Sequence, residues 1–171
     1  SQYWGRSDTV SINRCMGVAM YAGLLVSSLM ALLLWLAPLP VMGLVTDNAR
    51  LIELGAPYLK IVGPSYIFNS VSSVYVSMQR STENPQLGLK IFGASMLLNT
   101  FLNYCLIFGH FGAPELGISG AAIATLCSRV AEFLIVAVYA AVNKRVPLNI
   151  PALLHPGFGY VKSFLTYSAP V

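Results

Sequence analysis

Three stretches of this chain carry no charged side chain over enough residues to cross a bilayer: 15–46, 61–79 and 91–114. A fourth, 117–142, is interrupted only by Arg129 and Glu132. Roughly 20 apolar residues span the ~30 Å hydrocarbon layer as a helix. Lipid supplies no hydrogen-bond partners, so each stretch must satisfy its own backbone, and a helix does that without neighbours. Composition agrees, because 9% charged residues cannot clothe a soluble domain, which carries about 25%. The expected fold class is therefore all-α and integral to the membrane: an antiparallel transmembrane helix bundle.

The ten Lys and Arg are scattered over the connections and do not gather on one face, which argues against a nucleic-acid footprint and for a topology signal. With the start of the chain in the cytoplasm, Arg6, Arg14, Arg80, Lys90, Lys144, Arg145 and Lys162 fall inside, and Arg50 and Lys60 outside. Positive residues concentrate on the cytoplasmic side of membrane proteins, so this orientation is expected. Cys15, Cys105 and Cys127 are odd in number and sit in or beside apolar runs, which implies no disulfide framework. No leader with a charged start and a short apolar core opens the chain, and both ends read as cuts in a longer protein.

Turn and cap signals divide the chain into spans at about 15–36, 58–79, 87–108 and 118–142. Asp8 or Ser11 can cap the first, and Pro38 and Pro40 end it. Thr46, Asp47 and Asn48 cap an amphipathic approach over 49–58, with Pro57 and Pro64 expected to bend the second span near its outer end. Asn84 and Pro85 break the chain before the third, and the Gly- and Pro-rich residues 109–120 before the fourth. Residues 150–162 read as a loop or short helix on the inner surface, and a fifth span begins at Lys162.

Polar residues inside the spans recur at helical spacing. Ser65, Asn69, Ser73 and Ser77 share one face of the second span; Ser95, Asn99 and Asn103 share one face of the third. Such a stripe either bonds to a neighbouring helix or walls an aqueous cavity, and spacing alone leaves both open. Gly117, Ala121 and Thr125 form one small-residue row on the fourth span, and Gly120, Ala124 and Ser128 another, so close packing on the third is expected. Arg129 lies near the bilayer midplane with Glu132 one turn on. A lone charge there is costly, so mutual pairing is expected, against participation in a substrate or ion path. His110 and His155 fall in loops at opposite faces, and no nucleophile elbow, phosphate loop or Cys/His metal spacing occurs. The residues argue for no catalysis and no cofactor.

The chain resembles the multidrug and toxic compound extrusion (MATE) transporters along essentially its whole length. The resemblance rests on Gln2, Tyr3, Trp4, Gly5 and Arg6 near the start; on Ala56, Pro57 and Tyr58; and on Gln79 and Arg80 with Pro85. Its most specific parts are Leu98, Asn99, Leu102, Asn103, Tyr104 and Gly109, followed by Leu116, Gly117, Ser119, Gly120 and Thr125. It implies that the four spans are helices 3 to 6 of a twelve-helix transporter, with residues 1–146 in its N-terminal lobe, 147–161 as the cytoplasmic interlobe loop, and 162–171 opening helix 7. The implied activity is export of cationic or lipophilic compounds by alternating access, coupled to proton or sodium entry, by a multi-pass plasma-membrane protein that works as a monomer among membrane lipids. By position, Asn99, Asn103 and Thr125 match a polar site of some family members, with Asn69 as a further transport-path candidate. Asn103 stands where those members carry Asp, and Ser81 where many carry Gly. Two other readings are a lipid-linked oligosaccharide flippase of the same superfamily and a small structural or assembly subunit.

Overall fold

A computed structural model describes residues 8–82, 84–143, 147–155 and 157. The aromatic opening residues, Glu83, the Lys144 and Arg145 pair and the expected fifth span at 162–171 lie outside the described residues.

Helix α1 covers Thr9–Leu36, starting six residues earlier than the sequence suggests. Asp8 accounts for the earlier start: its carboxylate accepts hydrogen bonds from the Ser11 amide at 2.9 Å and the Ser11 hydroxyl at 2.6 Å. Those two donors hold the Asp8 carboxyl below its ordinary pKa. The helix stops at Ala37, and Pro38 opens the short helix α2, Pro38–Gly43.

Helix α3, Ala49–Val62, is capped by Asn48, whose side chain accepts from the Arg50 and Leu51 amides. Pro57 lies within α3 without ending it. Helix α4, Ser65–Ser81, follows after a break at Gly63 and Pro64. The single span expected over 58–79 is thus two helical pieces. Pro64 has no N–H to continue the ladder, and the Tyr66 and Ile67 amides tighten onto the Gly63 and Pro64 carbonyls.

Helix α5 covers Pro85–Phe108, with proline at its first turn, and α6 covers Gly117–Val142. Gly109 closes α5 at φ 71°, a left-handed conformation that glycine adopts without strain. A 3₁₀ turn, His110–Gly112, then leads towards α6, and the Leu116 amide bonds back to the Leu106 carbonyl at 2.9 Å. Helices α1, α5 and α6 are each long and apolar enough to cross a membrane. The described residues form an all-α bundle of a multi-pass membrane protein.

Helices α5 and α6 pack most extensively, α1 lies along α4, and α4 touches both α5 and α6. The Gly120, Ala124 and Ser128 row makes the α5–α6 seam. A Cβ on Gly120 would collide with the Leu106 backbone, Ala124 is fully buried, and the Ser95 hydroxyl donates to the Ser128 carbonyl. The apolar core lies at one end, where Ile12 and Met16 of α1 meet Tyr75 and Val76 of α4, Leu87 and Ile91 of α5, and Val136 of α6. Outward faces are apolar: Leu25, Leu97 and Val138 are exposed, as lipid-facing residues are.

Of the segment after α6, residues 147–155 are described and are tied to α1. Helix α7, Ile150–Leu154, packs on α1. Fully buried Asn13 donates to the Pro147 carbonyl at 3.1 Å and accepts from the Asn149 amide at 3.1 Å. One turn on, Gly17 meets the Leu153 backbone with no room for a side chain, and a turn further the Tyr21 hydroxyl donates to the Leu154 carbonyl at 2.9 Å.

Candidate functional site

Beyond the apolar core, α4, α5 and α6 part around a cavity of about 580 Å³. Asn69 and Ser73 line it from α4, Ser95 and Asn99 from α5, and Thr125 and Arg129 from α6. The three helices bring these residues together because each carries its polar positions at four-residue spacing, and the stripes turn inward. Phe92 and Met96 supply an apolar part of the wall.

Three of the expected transport-path residues, Asn69, Asn99 and Thr125, therefore share one cavity. Asn103 does not line it. Its amide nitrogen donates to the Asn99 Oδ1 at 3.1 Å, one turn away on the same helix, and so fixes the Asn99 side chain. The Thr125 hydroxyl donates to the Ala121 carbonyl at 2.9 Å and the Ser128 hydroxyl to the Ala124 carbonyl at 2.7 Å. Both hydroxyl hydrogens are used within α6, which leaves their oxygens as acceptors.

Arg129 and Glu132 pair, with Nη1 at 2.6 Å from Oε2. The two are placed unequally: the Glu132 side chain is completely buried, while that of Arg129 is 37% exposed and reaches the cavity wall. Glu132 Oε1 is buried without a hydrogen-bond partner among the described residues. The pair thus presents a guanidinium to the cavity and keeps its carboxylate behind it.

Sequence reasoning did not single out Asn13 or Tyr21. With Gly17, they follow one another at four-residue intervals on α1, so a periodic face of two polar residues around a glycine was the available signal. Among the described residues no three His, Cys, Asp or Glu side chains gather as a metal site. His110 stacks on Tyr104, with ring centroids 4.2 Å apart.

The sequence profile of the MatE family matches residues 1–105, more than half of the chain. The chain belongs to the MatE family. Among similar MatE proteins, a probable multidrug resistance protein NorM of Rhizobium meliloti is 36% identical over 130 residues, which cover 74% of this chain and 27% of the relative. The multidrug resistance protein PmpM of Pseudomonas aeruginosa is 32% identical over 128 residues, 73% of this chain and 26% of its own length. A probable NorM protein of Thermotoga maritima is 39% identical over 72 residues, 42% of this chain and 16% of its own. The match to each of these MatE relatives takes in less than a third of its length. No solved structure matches the chain.

Proposed function

We propose that this MatE chain is part of a secondary active efflux transporter that exports cationic or lipophilic small molecules by alternating access, driven by proton or sodium entry. The observation that carries the reading is the polar cavity walled by Asn69, Asn99, Thr125 and Arg129 between three helices of a bundle whose outward faces are apolar. Buried polar groups in a membrane are expensive and are kept where they contact cargo, ions or one another. The names of the relatives, multidrug resistance proteins, support the same reading. In it, residues 1–146 form part of the N-terminal lobe, 147–161 the interlobe loop and 162–171 the start of the next helix, and the transporter acts as a monomer.

The test uses the full-length protein in a drug-sensitive bacterial strain. Expression should lower accumulation of a fluorescent cationic dye, and collapse of either the proton or the sodium gradient should abolish the effect. Asn99→Ala and Asn103→Ala should each reduce efflux or change its ion dependence at unchanged membrane expression. Dye accumulation that ignores expression would overturn the transporter reading. Unchanged transport in both variants would leave the two amides as a hydrogen-bonded pair within α5 only.

A further inference from the structure

The chain is fastened on either side of residues 144–146, and the two fastenings hold different helices. On the near side, the end of α6 is bonded to α4 and to the residue that precedes α5: the Asn143 amide nitrogen donates to the Tyr75 hydroxyl at 3.4 Å, and the Tyr139 hydroxyl accepts from Asn84 at 3.0 Å. On the far side, α7 packs on α1, and towards α6 it faces an apolar cavity of about 400 Å³ lined by Met16, Val136, Ala140, Ile150 and Leu153. The connection therefore changes helices as it leaves α6.

The far fastening begins at Asn13, which is fully buried. Its amide nitrogen donates to the Thr9 and Pro147 carbonyls, and its oxygen accepts from the Asn149 amide. Asn149 in turn caps α7 by accepting from the Ala152 amide at 3.1 Å. A buried amide with its donors and its oxygen all engaged fixes one arrangement of its neighbours, since any other leaves a polar group unpaired. Gly17 admits the Leu153 backbone and Tyr21 bonds the Leu154 carbonyl, so the fastening runs from Asn13 to Tyr21, about 12 Å along the helix axis. Just beyond, Gly23 leaves room for the Ser70 hydroxyl of α4.

We infer that residues 147–154 are a strap that ties the connection to α1 and bypasses α6. Movement of the chain that follows reaches α1 first and passes at Gly23 and Ser70 to α4, while the Tyr75 and Tyr139 bonds hold the end of α6 apart from it. The strap stays closed as the protein moves: it transmits and does not gate. This inference rests on the transporter reading, in which a second lobe follows, and assigns the coupling between the lobes to α1.

The test uses the full-length protein, in lipid nanodiscs for hydrogen exchange and in cells for dye efflux. Asn13→Ala with Tyr21→Phe removes both polar fastenings. Exchange across residues 149–154 should rise about tenfold or more, with residues 117–142 unchanged as the sign of an intact bundle, and efflux should fall about threefold or more at equal membrane expression. Tyr21 and Leu154 are both half-exposed. Tyr21→Cys with Leu154→Cys, joined by a short bifunctional thiol reagent in a cysteine-free background, locks the strap shut, and efflux should stay within about twofold of the unlinked protein. Unchanged exchange, unchanged efflux in the released variant, or transport stopped by the cross-link would each overturn the strap. If the unaltered protein exports no dye, the transporter reading fails, and the tie to α1 then stands or falls on the exchange result.

Discussion

At the scale of single residues, the Arg129–Glu132 pair shows how burial divides one interaction into two roles. A fully buried carboxylate cannot be left alone, whereas a part-exposed guanidinium can find water or a ligand. Arg129→Ala should therefore destabilise the bundle by about 3 kcal/mol, and Arg129→Ala with Glu132→Ala by clearly less. Thermal unfolding of the two variants in detergent would check this, and equal losses would show that the pair contributes nothing. Spacing made the pair legible in the sequence; which partner faces the cavity was not, because both orientations satisfy an i,i+3 contact equally. The same limit applied to Asn103. Its stripe predicted a shared face with Asn99, but the hydrogen bond between the two amides turns one towards the cavity and keeps the other out of the wall.

At the scale of helices, the seam between α5 and α6 and the strap on α1 are set by single positions. Gly120 lets α6 reach the Leu106 backbone, and the Leu116 amide closes the turn onto the Leu106 carbonyl. Gly120→Val would push the helices apart at a cost of about 1–3 kcal/mol, seen as a lower unfolding temperature. Asn13→Ala would strand the Asn149 amide and the Pro147 carbonyl, raising hydrogen exchange at Asn149 while α5 and α6 stay protected. The seam was readable from its small-residue row. The strap was not, because a hydropathy pattern registers Asn13 only as the polar start of a span, and its partners lie more than 130 residues away. The break between α3 and α4 was half legible: Pro64 announced a bend, but not that the helix would split there.

At the scale of the molecule, the apolar exterior suits a bilayer, and the charge placement predicts which end of the bundle faces the cytoplasm. Cysteine placed at Ser81, the last residue of α4, should resist a membrane-impermeant maleimide in intact cells, and cysteine at Asp47, at the other end, should react. Reversed labelling would overturn the orientation. The all-α class was plain from uncharged runs alone, since lipid leaves a single chain segment few ways to satisfy its backbone. Mechanically, α4 is held at both ends. Ile12, Met16, Tyr75, Leu87, Ile91 and Val136 lock four helices towards its later end, and the cavity opens just beyond the grip. At its start Val62 and Ser65 are buried and Gly63 lies close against Ala31 and Leu34 of α1, so the stretch of α4 between the two anchors is the one that walls the cavity with Asn69 and Ser73. A beam fixed at both ends bows most at its middle, so the wall of the cavity is the part of α4 that yields first to anything pressed against it.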